Sequence, residues 1–120
     1  MKELILPVKQ GEELNIGFTI KAGDRPMDLS TYTVKFQVKE VPLEKSEPLI
    51  DKTITLTSDM NEDGLITYPD QGQFVVHLKK EDTSLHTGDF SLIIAIQGPN
   101  YYDIISSKSY NKATYRVCEQ

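Results

Sequence analysis

The chain contains no tryptophan and a single cysteine, Cys118, close to its C-terminal end. One cysteine excludes an internal disulfide, so the fold must be held by packing alone. That fits assembly in a reducing cytoplasm better than the disulfide-dense pattern of small secreted domains. Without tryptophan, the core falls to Phe, Tyr and the aliphatic residues, within a hydrophobic content of 38%. Positive charge is scarce too: 13 Lys and Arg stand against 18 Asp and Glu, for a net charge of −5. A nucleic-acid binder would present a basic face to phosphates, so no nucleic-acid partner is expected. Apolar runs are brief. None approaches the roughly 20 residues of a membrane span, and the N-terminal run is too short for a signal-peptide core, so no membrane insertion is expected.

What the sequence does have is alternation. Its 120 residues suit a single domain, 1–120, long enough to build an independent core. Leu14, Ile16, Phe18 and Ile20 alternate with Asn15, Gly17, Thr19 and Lys21, the period-two pattern of a strand with one buried face. Val34, Phe36 and Val38 form a second inward row, and Phe74, Val76 and Leu78 a third. Phe90, Leu92, Ile94 and Ile96 form a fourth, where Ile93 and Ala95 make the opposite face apolar as well. A strand with two apolar faces is central or covered. Leu4 to Val8 is an apolar first strand in which Pro7 removes a donor, so it belongs at an edge. Lys35, Lys39, Lys79 and Lys80 read as solvated strand sides that discourage edge-to-edge aggregation.

Turn residues separate these rows. Ala22-Gly23-Asp24-Arg25-Pro26 and Gly98-Pro99-Asn100 are turns by composition. Residues 41–48 are a polar loop with two prolines, and residues 57–70 a long polar loop with a short apolar rung at Leu65-Ile66. Strand character resumes from Leu49 to Leu56. Residues 79–85 form a single helical turn, since their acidic and hydroxyl residues suit a turn entrance. Residues 102–106 and 113–117 pair last. The result is an all-β antiparallel sandwich of about seven to nine strands.

Few residues are left for chemistry. His77 is on the outward parity of its strand and His86 in the helical turn, neither with ligands at metal spacing. No nucleophile elbow is present, and Cys118 has no nearby base to activate it. The chain is therefore expected not to be an enzyme. The strongest motif is residues 59–70. Asp59, Asn61 and Asp63 stand at alternate positions, Gly64 follows, and Asp70 closes at the twelfth place. Calcium takes six to eight oxygens, and this spacing is that of a calcium loop. Pro69 prevents an exiting helix, and such acid-rich stretches also serve as plain turns. Apart from this possible calcium site, no cofactor is expected. Tyr101, Tyr102, Tyr110 and Tyr115, with Ile93, form an aromatic and apolar group suited to an interface, because tyrosine gives contact area at low entropic cost. Tyrosine at strand positions also serves as half-buried packing.

The order Asp28-Leu29-Ser30-Thr31-Tyr32 into Val34-Lys35-Phe36-Gln37-Val38, then Gly72 to Leu78, Glu81-Asp82-Thr83 and Gly88-Asp89-Phe90-Ser91-Leu92, resembles the immunoglobulin-like domain at the N-terminus of phage upper baseplate proteins. The resemblance implies an immunoglobulin-like sandwich that docks onto other virion structural proteins without catalysis. It also implies manufacture in the host cytoplasm, residence in the virion, and homo-oligomerisation within an assembly of the tail, baseplate, neck or head. A carbohydrate- or receptor-binding module, with calcium at Asp59, Asn61, Asp63 and Asp70, is the alternative. Antibody-type domains differ more. There is no cysteine pair, Phe36 stands where a core tryptophan would, and Phe90 lacks the hydroxyl of a tyrosine corner.

Overall fold

The computed structural model describes residues 3–22, 24–40, 47–55, 63–104 and 112–119. Among these residues, eleven strands and two single-turn helices follow in order: β1 (Glu3–Lys9), β2 (Leu14–Thr19), β3 (Lys21–Ala22), β4 (Arg25–Pro26), β5 (Thr33–Lys39), β6 (Ile50–Ile54), β7 (Gly64–Tyr68), a 3₁₀ turn (Pro69–Gln71), β8 (Gln73–Leu78), α1 (Lys80–Thr83), β9 (Gly88–Gly98), β10 (Tyr101–Ile104) and β11 (Lys112–Cys118). One sheet runs β1-β11-β9-β5-β6, with β10 also paired to β9; the other runs β2-β8-β7. A two-residue hairpin, β3 with β4, stands apart from both.

The order β2-β8-β7 against β11-β9-β5-β6 is the B-E-D against G-F-C-C′ arrangement of an immunoglobulin-like sandwich. The fold class read from the sequence is therefore the observed one. One ladder departs from the antiparallel rule, since β1 pairs with β11 in parallel from Glu3–Lys112 to Lys9–Cys118. Pro7 sits in that edge strand, where its missing donor costs no ladder bond on the outer side.

The alternating rows meet between the sheets. Val34, Phe36 and Val38 from β5, Phe74, Val76 and Leu78 from β8, and Leu92 and Ile96 from β9 are almost wholly buried. Phe36 takes the place of a core tryptophan, tilted against Phe18 at 6.1 Å between ring centroids, while Phe18 stacks on Phe74 at 5.3 Å. β9 is central, with β5 along one edge and β11 and β10 along the other. This explains its second apolar face: Ala95 is fully buried although it lies on the outward parity.

Two expectations need correction. The stretch 57–70 is not loop throughout, because Gly64–Tyr68 is a strand paired to β8. β8 offers a free ladder edge, and Ile66 enters the core at 1% exposure. The last two segments also do not pair with each other in the described ladders. β10 pairs with residues 95–98 of β9 and β11 with residues 88–91, so they share successive parts of one long edge.

Candidate functional site

The outward face of the larger sheet brings together Ile93 and Tyr102 of the residues expected at an interface. The register places Ile93 opposite Gln37, Ala95 opposite both Lys35 and Ile104, and Gln97 opposite both Thr33 and Tyr102. Side chains on one face of neighbouring strands lie about 5 Å apart. Ile93, Ile104 and Tyr102 therefore form an apolar strip across β9 and β10, with Ala95 buried among them. Tyr102 is 53% exposed and Ile104 36%.

Tyr101 does not join that strip. It falls on the opposite parity, opposite Gly98, where its ring tilts against Tyr32 at 5.9 Å and its hydroxyl donates to Asp103 at 2.9 Å. Tyr110 lies outside the described residues, and Tyr115 is fully buried in the core, so it is not a surface residue. Ile104 was not singled out from the sequence. The signal was there, since it shares parity with Tyr102 two residues after a strong turn.

Beside the apolar strip lies a fixed polar patch. Lys35 Nζ donates to Thr53 Oγ1 at 2.7 Å and pairs with Asp51 at 3.2 Å. Gln37 Nε2 donates to Asp51 Oδ1 at 3.3 Å. At the far end of the face, Arg116 grips Asp89 through two bonds of 2.8 and 3.1 Å. The Asp89 carboxylate holds the Arg116 guanidinium above its ordinary range. Side chains already held by neighbours lose less freedom when a partner docks.

The proposed calcium residues are not brought together where they are described. Asp63 and Asp70 stand on either side of the extended strand β7, separated by about 20 Å at strand rise. Asp63 accepts from the Thr53 backbone N–H at 3.1 Å and lies 3.9 Å from Lys52 Nζ. Asp70 sits in a short 3₁₀ turn, Pro69–Gln71. Asp59 and Asn61 lie outside the described residues. Gly64 does not form the sharp turn of a calcium loop. Its φ of 129° opens β7, and a Cβ there would meet the Val75 carbonyl oxygen. Among the described residues, no group of three or more His, Cys, Asp or Glu side chains is placed to hold a metal ion.

Both histidines and a buried lysine are engaged in structure. His77 Nδ1 is 2.6 Å from Asn15 Oδ1, on the outward face of the smaller sheet. The His86 ring packs against Phe90 at 4.9 Å. Lys52 was missed in the sequence, although it shares parity with Ile50 and Ile54 on β6. It is buried, and its Nζ lies 2.7 Å from Asp82 Oδ2 in α1. The same carboxylate accepts from the Lys79 backbone N–H at 2.9 Å. The Asp82 carbonyl accepts from the Tyr115 hydroxyl at 2.9 Å. Tyr115 meets Phe90 edge-on at 6.5 Å. The hydroxyl that Phe90 lacks is thus supplied by the neighbouring strand, and it closes the same corner of the sandwich.

No protein-family model matches the sequence, and none of the curated proteins does. The chain is similar to a solved structure described as the NK cell receptor Nkp44, a triggering partner in natural cytotoxicity. The two share 15% identity over 100% of both chains, with a TM-score of 0.53. That likeness concerns the fold, and it agrees with the immunoglobulin-like strand order.

Proposed function

We propose that this chain is a non-enzymatic docking module: an immunoglobulin-like adaptor of a phage tail, baseplate, neck or head, residing in the virion and working by protein–protein contact. The observation that carries the docking reading is the strip Ile93, Ile104 and Tyr102 on an outward sheet face, bordered by the Lys35–Asp51–Gln37 network. Apolar and aromatic groups ringed by satisfied polar ones are the anatomy of a protein interface. The virion assignment rests on the resemblance of the segments beginning at Asp28, Gly72 and Gly88 to phage baseplate domains. The scaffold parts of that pattern have structural roles here. Leu29 is fully buried and donates its N–H to the Pro69 carbonyl, while Asp28 accepts from the Ser30 backbone.

The test places a carboxylate in the strip. Ile93→Asp and Ile104→Asp should abolish association with particle proteins in co-sedimentation, with circular dichroism unchanged. Association that survives both substitutions would remove this face from the proposal. Tyr101 and Tyr102 stand exposed beside the turn at 98–100, and this favours a second reading, stacking on a sugar of a host receptor. Free saccharide that displaces the chain from host envelope fractions would favour that reading.

A further inference from the structure

The sandwich is laced on one side and open on the other. Between β6 and β7, the Ile66 N–H donates to the Thr55 carbonyl at 3.0 Å, and Asp63 ties to Thr53 and Lys52. On the β1–β2 side the inward rows are only half covered. Leu4, Leu6, Leu14, Ile16 and Phe18 pack on the core but remain partly exposed. The matching rows of β5 and β8 are sealed.

β2 is the edge of the smaller sheet, and no other described strand pairs along its outer side. The Ile20 N–H donates to the Gly72 carbonyl, which fixes the phase of the ladder. Leu14, Ile16 and Phe18 turn their backbone groups to β8, so Asn15, Gly17 and Thr19 turn theirs outward. Edge strands are normally protected by proline, charge or a bulge. β1 carries Pro7, β6 carries Asp51 and Lys52, and β7 has an irregularity between Ile66 and Tyr68. The outward residues of β2 are Asn, Gly and Thr, with open space at the Gly17 Cβ position.

We infer that this edge pairs with the same edge of a second copy, antiparallel about a twofold axis through Gly17. In that register Gly17 faces Gly17 of the other copy, and Asn15 faces Thr19. All three outward residues then exchange both backbone bonds, the hydrogen-bonded pairing of an antiparallel ladder. Charge selects the same register. Glu13 and Lys21, both exposed, lie four residues to either side of Gly17, so each Glu13 falls opposite a Lys21. On the inward face Ile16 meets Phe18 of the other copy, extending the half-covered row into a shared core. Such an isologous contact is self-complementary and closes at two copies. It uses a different surface from the strip proposed for docking, and it holds whether or not the chain belongs to a virion.

The test is a charge-reversal cycle on the full chain, read by sedimentation equilibrium. Glu13→Lys and Lys21→Glu should each raise the dimer dissociation constant about tenfold or more, since each places two like-charge pairs across the axis. The double variant, Glu13→Lys with Lys21→Glu, should return it to the starting value. Thr19→Pro, which removes an outward N–H, should leave a folded monomer by circular dichroism. A chain that stays monomeric at millimolar concentration overturns the inference. So does a dimer indifferent to the charge cycle, and if Ile104→Asp disrupts that dimer, the contact lies on the docking strip.

Discussion

Among the described residues, Lys52 is the charged side chain buried in the core of this sandwich, and its partners explain why. Its ammonium reaches Asp82 at 2.7 Å, and Asp82 also caps the Lys79 N–H and receives the Tyr115 hydroxyl on its carbonyl. Removing one partner of a buried pair strands the other charge. Asp82→Ala should therefore destabilise the fold by about 3–5 kcal/mol in denaturant titration. Lys52→Met combined with Asp82→Asn removes both charges while the amide oxygen can still cap the Lys79 N–H, and should cost less than Asp82→Ala alone. Equal losses from the single and the double variant would contradict this account of the pair. Tyr115 gives a pH signature. Burial, aided by the nearby Asp82 charge, pushes its phenol well above the ordinary value near 10. Above that value the unfolded chain has lost a proton that the folded chain keeps. Stability is then full below about pH 10 and declines as pH rises toward the folded value. Tyr115→Phe should flatten that alkaline decline while losing about 0.5–1.5 kcal/mol at neutral pH with the hydrogen bond. At this scale the sequence was half legible. The inward rows are set by parity, so Val34, Phe36 and Val38 could be read directly. Lys52 could not, because the acid that neutralises it lies 30 positions away on α1.

β7 and β9 show what alternation reveals and what it hides. β9 announces itself through eleven residues with two apolar faces, and it lies at the centre of its sheet. β7 was hidden because its sequence, Gly-Leu-Ile-Thr-Tyr, follows an acidic run with the spacing of a calcium loop. Its strand character comes from β8, a long-range partner that local composition does not encode. Gly64 is the position that admits it. Gly64→Ala should cost more than about 1 kcal/mol in thermal or chemical denaturation, because the left-handed φ and the Val75 carbonyl both oppose a Cβ. An unchanged midpoint would mean that β7 enters the sheet by another path. The pairing of β10 and β11 was misjudged for a related reason. Both segments read correctly as strands, but register is set by partners, and β9 is long enough to take them in succession.

At the scale of the whole molecule, the immunoglobulin-like order was legible from spacing, turn residues and resemblance together. The surfaces were legible only in part. Ile93 and Tyr102 share a face because β10 folds back on β9 at the turn before Tyr101, whereas Tyr101 falls on the other parity by the same register. The open β1–β2 side could not be read at all, since partial exposure of Leu14, Ile16 and Phe18 depends on which strands stop short of covering them. The molecule thus carries an apolar strip on one sheet face and an unprotected edge on the other sheet. This arrangement suits a part that pairs with its own kind and docks onto something larger. The proposed residence in a phage particle is tested most directly by immunogold labelling of intact particles with an antibody to this chain. The expected result is gold at one fixed position on head, neck or tail. Unlabelled particles, with the chain free in the same lysate, would contradict it.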